Sequence, residues 1–434
     1  MQNKYKLIIG WLALGSLVLS AETFTLENAI DYALQHSPQY RVIYKDKEIS
    51  RAQSFAGYGE VLPQLNYSYT ESTRKSPSSP EMVALGMGGD ETRTKIKELS
   101  AQQLLFSVNG LAALKASLSS GRLADYTYAD SKEQFVLSVK KAFFDLQMSR
   151  ELLRLNQELA AQTEHYARNA QLMFDNGTIA RSELLNARIQ LYEAQKNLTN
   201  AGKAAAAAGY NLNTLIGLPL TQNTALAAYN VTVDETFLTK NLDAVELAEQ
   251  AYALRPSFLA FHEAVELNKA AYLNAWGSSL PALYYVYSKQ SSEYDPASLM
   301  SPDGDTETWA LSAKWNFFAG GANWFQIHEK ANNRDKYAEQ EKIQRNAVLI
   351  EIQSALDELR AQLQTVLGAR EQNQLAAESL RIAQINFESG NGTSTQLNDA
   401  LIQRQSSATN LIKALYDYEY AAARLNYAAG QKII

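Results

Sequence analysis

Two stretches of the chain alternate apolar and polar residues in the same way. GEVLPQLNYSY at 59–69 returns as GSSLPALYYVY at 277–287, with Gly59, Leu62, Pro63, Leu65, Tyr67 and Tyr69 answered by Gly277, Leu280, Pro281, Leu283, Tyr285 and Tyr287. Apolar residues on every second position predict a strand with one apolar face in each copy, over about 65–71 and 283–289. A second strand follows each. At 309–318, Trp309, Leu311, Ala313, Trp315 and Phe317 alternate with Ala310, Ser312, Lys314 and Asn316. Its counterpart at 92–106 alternates less cleanly, because Lys97 and Gln103 interrupt the apolar face.

Beyond the strands the period changes from two to three and a half. Positions 135, 139, 142, 146, 149, 153, 156, 160, 163, 167, 170 and 174 hold nine apolar residues of twelve, and the same positions plus 213 hold ten of twelve. At 46% hydrophobic overall, chance supplies five or six. This is a heptad seam kept in register between two copies, and its many alanines permit close helix packing. No proline interrupts 111–174 or 322–387. As unbroken helices these would be ~95–100 Å long. Asn176-Gly177 and Gly390-Asn391-Gly392 then break the pattern, and return helices are predicted over about 182–215 and 395–428. Both copies carry the same order of parts: Ser37-Pro38 answers Arg255-Pro256, Phe174 answers Phe387, and LNTLIG (212–217) answers LNYAAG (425–430). A repeat of roughly 200 residues exceeds solenoid periods and indicates a duplicated domain. The predicted organisation is a first repeat over 22–217, a linker over 218–242 and a second repeat over 243–434.

Residues 1–21 are different in kind. Lys4 and Lys6 precede LIIGWLALGSLVL, and Ser20 and Ala21 are small. That order is expected of a cleaved secretory signal peptide, since the run is short for a spanning helix of ~20 residues. A net charge of −6 with no basic stripe argues against nucleic acid as a partner. With no cysteine there is no disulfide, no thiolate metal site and no acceptor for an N-terminal lipid. The four histidines, His36, His165, His262 and His328, are scattered, and His328-Glu329 lacks the second histidine of a zinc helix. No nucleophile elbow or phosphate loop is present. No catalytic residue, metal site or cofactor is expected.

Four such strands could form a small soluble sheet. Three features point instead to a membrane: interfacial-type tyrosines and tryptophans on the strands, a secretory start, and long polar loops between strands. The candidate membrane-facing aromatics are Tyr67, Tyr69, Tyr285, Tyr287, Trp309 and Trp315. Four strands cannot close, and an open edge in hydrocarbon leaves backbone groups unpaired. The barrel must be shared: two copies give eight strands, three give twelve with room for a lumen.

The doubled order of AIDYALQHSPQYR, the two strand motifs, NGTIARSELLNA (176–187) and GNGTSTQLNDA (390–400) resembles the TolC family of outer-membrane efflux proteins over essentially the whole mature chain. The resemblance implies a mainly α protein with a small β part: a long antiparallel helical barrel, and four strands per protomer forming one third of a trimeric twelve-stranded transmembrane β-barrel. It implies an exit duct across outer membrane and periplasm, reaching an inner-membrane pump of RND, ABC or MFS type through a periplasmic adaptor (membrane fusion) protein. Asp399 matches a position in an acidic ring that narrows the periplasmic aperture. Gln396 stands where well-known members have another acid, and Glu183 where an acid helps latch the closed state. Its latch partners there, an arginine and a tyrosine, are Gly392 and Phe387 here. Asp399 and Glu183 also suit a helix first turn as caps. The tips Asn176, Gly177, Thr178, Gly390, Asn391 and Gly392 resemble the adaptor-contacting turns, although a tight reversal alone favours Asn-Gly. The alternatives are a diffusion porin, which leaves the long helices unexplained, and a periplasmic coiled-coil scaffold or adaptor.

Overall fold

A computed structural model describes residues 23–75, 80–84, 91–295 and 302–434. The expected signal peptide lies outside these, as do parts of both polar loops between strands. Along the chain run α1 (Leu26–His36), α2 (Pro38–Ala56), β1 (Gln64–Lys75), α3 (Pro80–Ala84), β2 (Glu91–Phe106), α4 (Val108–Asp175) and α5 (Arg181–Ile216). Then follow α6 (Ala244–Leu254), α7 (Pro256–Gly277), β3 (Ala282–Asp295), β4 (Gly304–Lys314), α8 (Ala322–Glu388) and α9 (Ser394–Ala429). The long helices α4 and α8 have 68 and 67 residues. The return helices α5 and α9 have 36 each.

The heptad seam is where the apolar period places it. Eight of its twelve positions on α4 are buried and four half-buried; on α8 nine are buried and three half-buried. Val139, Leu146, Ile352, Leu359 and Val366 are at most 1% exposed. The strands differ from expectation at their ends. β1 and β3 run on to Lys75 and Asp295, while β4 starts at Gly304 and stops at Lys314, so Trp315 and Phe317 lie beyond it. Polar residues such as Ser72, Thr73, Ser291 and Ser292 carry no alternation signal, yet their backbones pair with the neighbouring strand. Lys97 and Gln103 do not break β2. Lys97 pairs with Glu293 at 3.2 Å, and the Gln103 amide donates to the carbonyls of Val61 and Leu104 at 2.9 and 2.7 Å.

The chain divides into two compact units, each drawing on both repeats. One comprises residues up to Pro38, Ser138–Asp234 and Leu363–Tyr420. Here α1 starts under a Thr25 cap, whose hydroxyl accepts from the Asn28 N–H at 3.2 Å. Phe24 bridges the loop after α5, donating to the Ala225 carbonyl and accepting from Ala227, both at 2.9 Å. That loop is tied down by Asn213, which is fully buried. Its amide donates to the carbonyls of Pro219, Leu220 and Gln222 at 3.2, 3.1 and 2.8 Å, and its carbonyl oxygen accepts from the Thr224 hydroxyl at 2.5 Å.

The other unit comprises Gln39–Leu137, Glu235–Gln362 and Ala421–Ile434 and contains the whole sheet. Its strands are antiparallel in the order β1-β2-β3-β4. Arg255, at the junction of α6 and α7, is buried against Glu351 at 2.6 Å, the Ser257 hydroxyl at 2.7 Å and the Ala428 carbonyl at 3.3 Å, with its guanidinium over the Tyr427 ring. Arg122 grips the buried Glu263 carboxylate with two bonds of 2.6 and 2.9 Å. Buried charge is costly unless paired in this way.

Candidate functional site

The strand registers sort every side chain of the sheet onto one of two faces. Directly opposed residues share a face, and here odd numbers pair with odd throughout the regular ladder. One row of the odd face reads Leu65, Ala101, Tyr287, Trp309, and the next reads Tyr67, Leu99, Lys289, Glu307. The even face reads Asn66, Ser100, Ser288, Thr308, then Ser68, Glu98, Gln290, Thr306. Around the Trp309 row the odd face is aromatic and aliphatic across all four strands, with the Lys289–Glu307 ion pair in the next row, whereas the even face is mainly polar apart from residues such as Tyr284 and Val286. Five of the six aromatics expected to face lipid, Tyr67, Tyr69, Tyr285, Tyr287 and Trp309, lie on the apolar face. The sixth, Trp315, follows β4 and donates its indole N–H to the Ser279 carbonyl at 3.0 Å.

The apolar face is bare. Leu65 is 72% exposed, Tyr67 68%, Trp309 61% and Leu311 67%. Soluble monomers rarely leave so much contiguous apolar surface in water. A strand set with an apolar outer face and a polar inner one suits a transmembrane barrel wall. Towards one end the odd face turns polar, and the ion pair Lys97–Glu293 lies there. At the other end, the stretch after β4 exposes Trp315, Phe317, Phe318, Trp324 and Phe325. Phe318, Trp324 and Phe325 extend this exposed aromatic set beyond the six aromatics that the strand pattern singles out. The signal was available in WNFFAGGANWF (315–325), whose aromatics outnumber what a solvated connection holds. Among the described residues, β1 and β4 each pair on one side only.

In the other unit, the two helix hairpins turn in the same way. Gly177 and Gly390, 213 positions apart, both have φ +76°. The Thr178 N–H reaches the Met173 carbonyl at 2.8 Å and the Asn391 N–H that of Asn386 at 2.9 Å, a helix-ending motif that a left-handed residue completes. Backbone geometry thus equates Gly177 with Gly390, although the letters Asn-Gly-Thr recur at 391–393. All six tip residues are on these turns or next to them.

The three aperture candidates lie just after the turns and have different surroundings. Glu183 is half-buried in the first turn of α5 and accepts a hydrogen bond from the Ser394 hydroxyl. Its partner is a neutral hydroxyl where the resemblance implies a cation. Gln396 forms a capping box with Thr393: its side chain accepts from the Thr393 N–H at 3.1 Å, and the Thr393 hydroxyl accepts from the Gln396 N–H at 3.2 Å. Asp399 is exposed and lies past the first turn of α9, where the helix-end charge has decayed, so capping does not account for it. Phe387, in the place of a latch tyrosine, is 5% exposed in an apolar cluster with Leu380, Leu397 and Ala400. A cavity of about 240 Å³ beside it is lined by Tyr166, Gln190, Asn398 and Leu401 among others.

Further along the same unit lies a polar group that the sequence did not disclose. Glu419 accepts a hydrogen bond from the Tyr229 hydroxyl at 2.9 Å, beside the rings of Phe143, Phe144 and Tyr416. Burial raises the Glu419 pKa above the ordinary carboxylate value, while the Tyr229 hydroxyl acts the other way. On α4, Arg150 has its pKa lowered by desolvation and donates to the Thr224 carbonyl.

Among the described residues no group of histidines and carboxylates is arranged to hold a metal ion, and no helix is long and apolar enough to cross a membrane. The family model described as outer membrane efflux protein matches residues 29–218. The alkaline protease secretion protein AprF of Pseudomonas aeruginosa is 22% identical, covering 95% of this chain and 86% of the relative. The outer membrane protein TolC of Vibrio cholerae is 21% identical, covering 96% and 93%. Among solved structures, the outer membrane protein VceC of Vibrio cholerae superposes with a TM-score of 0.79 at 14% identity, covering 94% of this chain and 97% of that one. The CmeC outer membrane channel of Campylobacter jejuni does so at 0.77 and 16%, covering 99% and 94%.

Proposed function

We propose that the chain is a TolC-family outer membrane efflux protein, three copies of which assemble into a passive exit duct serving an inner-membrane pump through a periplasmic adaptor. The observation that carries this reading is the two-faced sheet with its two unpaired edges. A bare aromatic face has no purpose in water, and an open edge cannot persist in lipid. Both are satisfied when neighbouring copies pair edge to edge into twelve strands in the outer membrane. The even face, with Asn66, Ser68, Ser100, Ser288 and Thr308, then lines a wet lumen.

The long helices α4 and α8 and the returns α5 and α9 supply the periplasmic part. Their seams are small and buried within one copy, while Leu185, Ile189 and Tyr192 on α5 remain 47%, 56% and 70% exposed. Residues 185, 189 and 192 share one helix face, which suits packing against another helix. The tips at 176–178 and 390–392 meet the adaptor, and Asp399 from three copies forms a ring that favours cations at the aperture. Closure relies on the hydrogen bond from Ser394 to Glu183 and on apolar packing around Phe387, without an arginine latch. The pump, of RND, ABC or MFS type, supplies both energy and cargo choice. AprF is named for protease secretion, and export of a polypeptide or of small molecules is compatible with a duct that carries no chemistry of its own.

A periplasmic scaffold has no use for lipid-facing tryptophans, and a diffusion porin none for helices of 68 and 67 residues. Fractionation and planar-bilayer recording test the reading together. The expected result is a heat-dissociable trimer in the outer-membrane fraction with a small, cation-selective conductance. A water-soluble monomer overturns it.

A further inference from the structure

We propose that β4 of one copy pairs with β1 of the next in a single register, with Trp309 opposite Tyr69, Leu311 opposite Tyr67 and Lys314 opposite Gln64. This rests on the trimeric barrel proposed above and extends it from stoichiometry to a residue-by-residue seam.

The first argument is geometric. Within one copy, a line drawn across the strands joins Leu65, Ala101, Tyr287 and Trp309. In a closed barrel such a line returns to its starting strand displaced along it by the shear, and three-fold symmetry gives each seam one third. The displacement per seam must be even, because an odd step turns the apolar face into the lumen. A barrel whose shear equals its strand number tilts its strands by about 36°. For twelve strands that is four residues per seam. Two residues per seam would give about 20° and six about 47°, against the usual range of about 35–45°. A displacement of four carries the line from Leu65 to Tyr69, so Trp309 faces Tyr69. Displacement in the opposite sense would set Trp309 against Val61, which precedes β1.

The second argument is backbone satisfaction. In this register all 11 residues of β4 find partners in β1, from Gly304 opposite Arg74 to Lys314 opposite Gln64. Two residues further, Gly304 passes the end of β1 at Lys75; two residues less, Ala313 and Lys314 have no partner in β1. An unpaired backbone group facing hydrocarbon has no water to bond to and disfavours both of those registers.

The third is chemical. Trp309–Tyr69, Leu311–Tyr67 and Ala313–Leu65 continue the apolar face across the seam, and Ser312–Asn66, Ala310–Ser68 and Thr308–Thr70 continue the polar one. The unfavourable pair is Glu307 with Glu71. Each already has cover within its own copy: Lys289 lies 2.9 Å from Glu307, and the Tyr69 hydroxyl donates to Glu71 at 3.1 Å. The next even register would set Trp309 against Glu71 instead.

The absence of native cysteine makes the seam directly testable. Ser68→Cys is combined in turn with Ala310→Cys, Thr308→Cys and Ser312→Cys, all on the polar face, and purified protein is oxidised. Directly opposed residues lie about 4.5–5.5 Å apart, within disulfide reach, while partners two residues away are at about 7–8 Å and beyond it. Ser68→Cys with Ala310→Cys should give covalent trimers on non-reducing denaturing gels, at least several-fold more than either other pair. Preferential closure through Thr308→Cys or Ser312→Cys overturns the register, as does an intact trimer that none of the pairs closes. Native mass of the unoxidised protein is read in parallel: a trimer with the wrong cross-link defeats only the register, whereas a monomer or dimer defeats the trimer reading and the register together.

Discussion

The Tyr229 hydroxyl donates to the Glu419 carboxylate at 2.9 Å, and aromatic rings close around the pair. A carboxyl group raised by burial binds its proton more tightly in the folded chain than in the unfolded one. Its favourable contribution is therefore complete below the ordinary carboxylate pKa and is lost as pH rises through the folded value. Glu419→Gln should remove that loss: the variant matches the natural protein at about pH 4 and melts at a higher temperature at about pH 8. Thermal unfolding followed by circular dichroism across this range decides it. Tyr229→Phe should act in the opposite direction at about pH 8, costing about 1.5–3 kcal/mol for a hydrogen bond to a charged group.

Asn213 makes four hydrogen bonds from a fully buried position, three of them to carbonyls of the loop after α5. Asn213→Leu fills the volume and strands all four partners. A loss of about 3 kcal/mol or more is expected, since each buried polar group left without a partner costs about 1–3 kcal/mol. Limited proteolysis should show cleavage beginning within 218–224.

Gly217 and Gly177 both have left-handed backbones, at φ +84° and +76°, yet their surroundings differ. A Cβ at Gly217 would sit 2.7 Å from the His36 carbonyl oxygen, whereas at Gly177 there is open space. Gly177→Ala should therefore cost only about 1–2 kcal/mol for the backbone conformation. Gly217→Ala should cost clearly more, because α1 has to move. Melting temperatures of the two variants, measured side by side, check the order.

A charge should be tolerated on one face of the sheet and not on the other. Leu311→Lys places an ammonium on the apolar face and should lower outer-membrane assembly by about 2–4 kcal/mol if near the bilayer midplane. Thr308→Lys, on the polar face, should assemble normally and reduce cation conductance. Trimer yield in membranes and reversal potential in a salt gradient read the two effects separately.

At the hairpin end, Asp399→Asn should weaken cation selectivity, while Gln396→Ala should leave selectivity in place and cost about 1 kcal/mol of helix capping. The two residues are three apart on α9, but the Gln396 side chain is held by Thr393. Equal loss of selectivity in both variants would contradict this division of roles.

Most of the fold is legible in the amino-acid order because it depends on periodicity. A period of two around Tyr67 and Tyr285, a seam of three and a half through Val139 and Ile352, and glycines at 177 and 390 are properties of neighbouring residues. The duplication states each of them twice. Strand ends were less legible: Ser72 and Ser291 have no apolar pattern, and their place in the ladder depends on a partner strand far along the chain. What only the tertiary structure decided is which distant residues meet. It set Leu65, Ala101, Tyr287 and Trp309 in one row, showed that the Gln396 side chain caps a helix, gave Glu183 a hydroxyl partner, and brought the half-buried Glu419 against Tyr229. Sequence period fixes which way a side chain points from its own strand or helix. The identity of the group it then touches depends on registers and packing between segments hundreds of residues apart, and no local pattern encodes those.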